Sequence, residues 1–384
     1  MRALPLPLLF VVSALAFGQS NPPAASPIWQ MQESGTTAGL RGIDSVDGTV
    51  AWASGTGGTV LKTLDGGAHW TQCAIPDAAK DGATLDFRGV QAWDAKTAIV
   101  MSSGKGNLSR LYKTTDGCLR WKLLLYNTEK EGFWAALYFE ARGDGKGLGD
   151  TGWLLGNPVY GMFWLMRSID SGKHWVKQNN KMLYLKPGAQ GACVASNSAF
   201  IANGGFAAFG SGGTGCANVS TMTLRTICEG YCSAQEMNLD GRKNWWVSEK
   251  GLRGLNTDSS GVFSIGARSQ YAGDTLLQQV VVVVGGDYSN ANETGNSASF
   301  RRSAWDTWTA STTPPHGFRS AVQWSEALKA WITVGTNGSD VSRDDGKTWQ
   351  PLDNGNWNAL SLPFVVGPSG RIARINPVAL PAAK

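Results

Sequence analysis

An eight-residue pattern recurs along this chain: a small hydroxyl residue, any residue, Asp, any residue, Gly, two more, then Trp. Full copies occupy residues 63–70, 168–175 and 342–349, and a fourth at 114–121 carries Cys118 where the others carry Gly. The chemistry is that of a tight turn between two strands. Asp accepts backbone N–H groups and the Ser or Thr hydroxyl supports it, Gly takes a conformation closed to residues with a Cβ, and Trp opens the next strand as an apolar plate for packing between sheets. A unit repeated at this spacing cannot bury its apolar face alone and stacks on its neighbours.

The start of each unit repeats too. Leu40-Arg41-Gly42-Ile43, Phe87-Arg88-Gly89-Val90 and Phe318-Arg319-Ser320-Ala321 are alike. Weaker counterparts are Phe133-Trp134-Ala135-Ala136, Gly191-Ala192-Cys193-Val194, Gly261-Val262-Phe263-Ser264 and Trp357-Asn358-Ala359-Leu360. Eroded turn boxes at 238–245 and 301–308 fill the long gap before the last full copy. The last unit, ending in Gly370-Arg371-Ile372-Ala373-Arg374-Ile375, lacks an outer strand, and Ile28-Trp29-Gln30-Met31-Gln32 resembles a post-box strand with no box before it. The expected fold is all-β: a seven-bladed propeller of four-stranded antiparallel blades, closed by the N-terminal strand, with six or eight blades as alternatives. Residues near 210–235 are expected to be an insertion in the fourth blade that includes the Gly-rich stretch 210–215 as a flexible loop.

Residues 1–18 have the form of a secretory signal peptide, with Arg2, an apolar run and small residues before a cleavage site placed after Gly18. Residues 19–384 are then one exported domain, periplasmic or secreted. The apolar stretch 280–284 is too short to cross a membrane and reads as a buried strand. A net charge of +5, unclustered, gives no footprint for nucleic acid. Six Cys in an exported chain permit disulfides in fifteen combinations. The most local set pairs Cys228 with Cys232 and Cys193 with Cys216, leaving Cys73 and Cys118 to link neighbouring units. The three His (His69, His174, His316) supply no metal set, since two belong to turn boxes, and no dinucleotide fingerprint follows a strand and opens a helix. No cofactor is expected.

The boxes, with Asp86-Phe87-Arg88-Gly89, Gly285-Gly286-Asp287-Tyr288, Gly317-Phe318-Arg319-Ser320 and Gly338-Ser339-Asp340-Val341-Ser342, resemble the BNR or Asp-box propellers. That group includes sialidases and other glycosidases, sortilin-type receptors and photosystem II assembly factors. The likeness is in particular to the photosystem II stability and assembly-factor family and its secreted bacterial relatives, which often carry the labels oxidoreductase or glycosyl hydrolase. It covers nearly the whole chain after the leader and specifies fold far more than function.

The resemblance implies an exported, non-catalytic propeller that binds a protein partner or an anionic ligand at a channel mouth. Arg41, Arg88 and Arg319 occupy equivalent places in three units, so ring closure would bring three guanidinium groups towards one axis, where they suit a carboxylate. Alternatively each Arg pairs with a nearby acid, such as Asp287 or Asp340, and ties blades together. The candidate ligand-binding residues are Arg41, Arg88, Arg319, Trp134, Asp287, Tyr288 and Asp340, with no catalytic or metal residue. The competing reading is a sialidase-like glycoside hydrolase acting on an acidic glycan. It would need a Tyr nucleophile with a Glu partner; Tyr288 beside Asp287 is the one pair to nominate, and no Glu matches the partner. A Ser-His-Asp triad would have to use His316.

Overall fold

A computed structural model describes residues 27–142, 147–178, 183, 189–192, 197–203, 206–214, 217–224, 244–272, 275–303 and 306–381. In each four-stranded sheet the predicted unit start lies at or next to the first strand of its unit, and the strands of the unit pair antiparallel in chain order, whereas the starts at Gly191 and Gly261 fall within one larger sheet. Leu40–Ser45, Ala51–Gly55, Val60–Thr63 and Thr71–Gln72 make one sheet, and Phe87–Ala92, Ala98–Ser102, Arg110–Thr114 and Lys122–Tyr126 the next. Trp134–Ala141, Leu148–Val159, Met162–Ser168 and Val176–Lys177 follow, and Ala321–Ser325 to Gln350–Asp353 repeat the arrangement. Second strands such as Ala51–Gly55 and Ala98–Ser102 are buried at every residue. A strand covered on both faces reads as an unbroken run of small and apolar residues, not as alternation.

Between these lies one nine-stranded sheet. Its first half uses Phe206–Gly213 as the pivot, paired with Ala189–Ala192, Phe200–Asn203 and Asn218–Leu224, the last of which pairs with Asn244–Lys250. Its second half runs from Ser260–Ala272 through Thr275–Asp287 and Ala298–Arg301 to Thr309–Ala310. One pair, Gly212 with Gly261, joins the halves. This corrects the expectation of a flexible loop at 210–215. Residues 210–213 are buried strand, and the glycines are there because backbones cross: a Cβ on Gly210 would sit 2.2 Å from the Val262 carbonyl oxygen. Asn218–Leu224 is strand as well. Residues 225–243, the eroded box at 238–245 apart from its last two residues, and Cys193, Cys216, Cys228 and Cys232 lie outside the described residues.

The final sheet is built from both ends of the chain. Trp29–Gln32 pairs with Ile372–Ile375, in register Trp29 to Ile375, beside Phe364–Val366 and Ala359–Ser361. The N-terminal strand supplies the outer strand that the last unit lacks, as the sequence indicated. Closing the first sheet onto the last in this way leaves no open edge between them.

The core is a series of apolar wedges, each between one sheet and the next. Trp52 and Val60 of the first sheet meet Phe87 and Val100 of the second, and Ile99 and Leu111 of the second meet Trp134 and Leu154 of the third. The series ends where Ala359 and Phe364 of the closing sheet meet Leu40 and Ala53 of the first, which makes the stack a ring. The box Trp residues belong to these wedges: Trp70 packs edge-on to Phe364 of the closing sheet, and Trp121 edge-on to Trp52. Removing a fully buried ring from such a wedge, as at Trp52, costs about 3–5 kcal/mol.

All four turn boxes share one geometry. In the first, Thr63 Oγ1 accepts from Gly67 N–H at 2.9 Å while Asp65 Oδ1 accepts from His69 N–H at 2.9 Å. The fourth and fifth box residues both have positive φ: Gly66 and Gly67 (73° and 89°), Gly117 and Cys118 (73° and 74°), Ser171 and Gly172 (58° and 78°), Asp345 and Gly346 (62° and 82°). Cys118 therefore holds the left-handed conformation that Gly takes elsewhere, and it is disulfide-bonded to Cys73 of the preceding unit. The linkage of neighbouring units by Cys73 and Cys118 is thus as expected. The backbone N–H of His69 and its ring draw the Asp65 carboxyl down to about 2, and the Arg120 guanidinium does the same for Asp116.

A second repeated device was not foreseen. A cation from the preceding sheet reaches the fourth residue of each box. Lys62 Nζ donates to the Gly117 carbonyl at 2.9 Å, Lys113 Nζ to that of Ser171 at 2.8 Å, and Arg374 Nη1 to that of Gly66 at 3.0 Å. At the last box Arg268 Nη2 meets the Asp345 carboxylate at 2.7 Å. Along the innermost strands, side chains also accept N–H groups of the next unit: Asp44 from Ala92, Gln91 from Phe139, Gln323 from Leu362 and Ser361 from Ser45. These bonds key adjacent sheets together where apolar contact alone would let them slide.

Candidate functional site

One cavity of about 450 Å³ opens at the end of the ring where the innermost strands begin, and every sheet contributes to it. Arg41 and Arg88 enter from the first two sheets, Asn157 from the third, Phe263 and Tyr288 from the nine-stranded sheet, Phe318 from the next, and Asn358 from the closing sheet. The local reason is a β-bulge. Strand pairing skips a residue between Leu40 and Gly42, between Phe87 and Gly89, and between Val262 and Ser264. A bulge re-aims the side chain of its extra residue, and the extra residues here are Arg41, Arg88 and Phe263.

Asp86 organises the cationic wall. Its two carboxylate oxygens face Arg41 Nε at 3.2 Å and Arg88 Nε at 2.8 Å. Both guanidinium groups thus meet at one carboxylate, and both Arg side chains remain partly exposed. The Arg88 guanidinium also lies 5.9 Å from the centre of the Phe133 ring. Asp86 was not among the sequence candidates. Its place two residues before Arg88, at the entry to the strand, was the available signal.

Arg319 is the clearest correction. Its side chain is 0% exposed and points into its own sheet. Nε donates to Asp340 Oδ2 at 2.6 Å, and Nη1 to Asn337 Oδ1 and the Phe318 carbonyl, both at 2.6 Å. Burial lowers the guanidinium pKa, and Asp340 opposes that shift. The reason lies two residues before the box hydroxyl, on the third strand. There this unit has Asp340, whereas the first two units have Leu61 and Tyr112. Arg319 has an inward acid to bind; Arg41 and Arg88 do not, and they stay at the cavity. Asp340 is equally buried, so it is part of that tie and not of the cavity wall. His316 Nδ1 lies 2.7 Å from Asp340 Oδ1, which makes it a member of the same network.

Two further candidates move off the wall. Trp134 is buried in the wedge between the second and third sheets, with its Nε1 unpartnered. Asp287 forms the turn that carries Tyr288, accepting from Thr257 Oγ1 at 2.7 Å, Ser259 Oγ at 2.6 Å and Ser289 N–H at 2.9 Å. Burial pushes its pKa up, but these donors outweigh it and the net shift is downward. Tyr288 does line the cavity and is 56% exposed. It forms an aromatic wall with Phe263 and Phe318, whose rings lie 4.8 Å apart. Among the described residues, the carboxylate that lines the cavity is that of Asp258.

No family model matches the chain, and no curated protein matches it. Its likeness is to solved structures. YCF48 from Cyanidioschyzon merolae is 15% identical with a TM-score of 0.59, covering 91% of this chain and 99% of its own. A structure of YCF48 bound to D1 peptide is 16% identical with a TM-score of 0.54, covering 93% and 99%. Identities this low speak to fold alone. The chain thus has the β-propeller fold of the YCF48 structures.

Proposed function

We propose that this protein is an exported, non-catalytic propeller of seven blades that binds an acidic peptide segment of a partner protein at the cavity lined by Arg41 and Arg88. The seven-blade count rests on the five four-stranded sheets and the two halves of the nine-stranded sheet, and export rests on the leader-like residues 1–18. The observation that carries the binding reading is the arginine pair: two bulge-directed, partly exposed guanidinium groups come together at the Asp86 carboxylate and line a partly enclosed cavity. Guanidinium groups in this setting favour a carboxylate ligand through charge-assisted hydrogen bonds. The peptide bound by YCF48 in one of the similar structures supports a protein partner over a small anion.

The test is fluorescence anisotropy with a labelled acidic hexapeptide. Arg41→Ala and Arg88→Ala should each weaken binding by about tenfold, while Arg343→Ala, an exposed rim variant, should leave it unchanged. Binding that survives the double Arg41→Ala/Arg88→Ala variant at low salt would end this reading.

A further inference from the structure

The wall across the cavity from the two arginines has the opposite character. Arg41 and Arg88 sit in the first and second sheets, while Asp258 lies in the loop leading to Ser260–Ala272, as far round the ring as any unit. Asp258 is exposed, and its carboxylate is held by the Thr214 hydroxyl. The Tyr288 backbone N–H donates to the Ser259 carbonyl at 3.3 Å, which fixes Asp258 and the exposed Tyr288 ring into one corner. Neighbouring Asp287 is engaged by the hydroxyls of Thr257 and Ser259, so it serves as the frame of this corner.

A carboxylate beside an aromatic face is the pairing that recognises an ammonium or guanidinium group. We propose that the cavity takes a bipolar peptide: its carboxylate lies against Arg41 and Arg88, and a Lys or Arg side chain of the same segment lies between Asp258 and Tyr288. Phe263 and Phe318 line the floor between the two ends and cover the apolar part of the basic side chain. A sphere of about 450 Å³ is roughly 9–10 Å across, the length of about three extended residues.

This inference rests on the acidic-peptide reading and is tested separately from it. The full chain is titrated with three labelled hexapeptides that share a free C-terminal carboxylate and differ only in carrying Lys, Gln or Glu three residues upstream. The Lys peptide should bind about fivefold tighter than the Gln peptide and the Glu peptide weaker than either. Asp258→Asn should cut the Lys-over-Gln preference from about fivefold to about twofold, and Asp258→Lys should reverse the order in favour of Glu. Tyr288→Leu should reduce the Lys preference by about half. Equal binding of all three peptides to the unaltered protein, or a Lys preference that Asp258→Asn leaves undiminished, overturns the bipolar site while leaving the acidic-peptide reading in place. Failure of every peptide to bind overturns both. Asp258 is on an exposed loop, and matching thermal melts confirm that its variants fold.

Discussion

Arg319 provides the sharpest separation of structure from binding, because sequence equivalence groups it with Arg41 and Arg88 while its environment does not. Replacing it with Met keeps most of the aliphatic volume and removes the charge. The substitution deletes hydrogen bonds to Asp340, Asn337 and the Phe318 carbonyl, and leaves a carboxylate with no solvent exposure facing His316 alone. Breaking a buried pair from one side costs about 3–5 kcal/mol, most of it the penalty of the stranded partner. For a chain of this length the unfolding entropy is about 0.8 kcal/mol/K. A loss of 4 kcal/mol therefore lowers Tm by about 5 °C. Calorimetry measures the shift, and anisotropy with the acidic peptide at 20 °C measures the other half: affinity within about twofold of the unaltered protein, since the group is absent from the cavity. Arg41→Ala should give the opposite pattern, with Tm unchanged within about 1 °C and binding weakened. A variant at 319 that keeps its Tm but loses peptide would show that the guanidinium serves the cavity, and would refute the inward pairing with Asp340.

Other perturbations follow from the same geometry. Burial pushes the Asp44 carboxyl up to about 7, against its hydrogen bond from Ala92 N–H. Its folded-state value therefore exceeds its unfolded one, so the native state is penalised as pH rises from about 4 to 7 and bears the full penalty above that. The full shift corresponds to about 4 kcal/mol. The side chain retains some solvent contact, so Asp44→Asn, which still accepts from Ala92, should stabilise by about 2 kcal/mol at pH 8 and little at pH 4, read from urea midpoints. Reducing the Cys73–Cys118 bond, which spans 45 residues, should cost about 4 kcal/mol on the loop-entropy model. In a Cys73→Ala background, Cys118→Gly should be more stable than Cys118→Ala by about 1 kcal/mol, because only Gly holds the left-handed conformation without penalty; equal Tm values would contradict this. Lys113→Met should lose about 1 kcal/mol and increase hydrogen exchange at the box of residues 168–175, where Lys113 donates to Ser171.

Much of the fold was legible because the turn chemistry is local. Asp65, Asp116, Asp170 and Asp344 act on residues within four positions of themselves, so spacing alone reveals what each carboxylate binds. The closure was legible for a related reason: a strand without a box at one end and a unit without an outer strand at the other can satisfy their edges only by pairing. The site was legible only in part. The equivalence of Arg41, Arg88 and Arg319 was visible, but their directions depend on the third strand, distant in sequence from the Arg in each unit. Asp340 there turns Arg319 inward, and Leu61 and Tyr112 leave the other two outward.

The stretch at 210–213 failed for a different reason. Glycines in sequence look like a loop, and only the crossing of two strands gives them the character of a seam. Asp258 was missed because an isolated acid carries no pattern; it gains meaning from what the ring brings near it, whereas Asp86 stood two residues before Arg88.

The sequence by itself determined the repeating unit, the turn that ends it, the strand order within a sheet and the N-terminal strand that completes the last one. These are set by bonds between neighbours in the chain and by the need to pair every edge. The tertiary structure alone decided which charges are available to a ligand. Direction at a bulge, burial of an ion pair and the facing of Arg41 and Arg88 towards Asp258 arise only when distant units close into a ring.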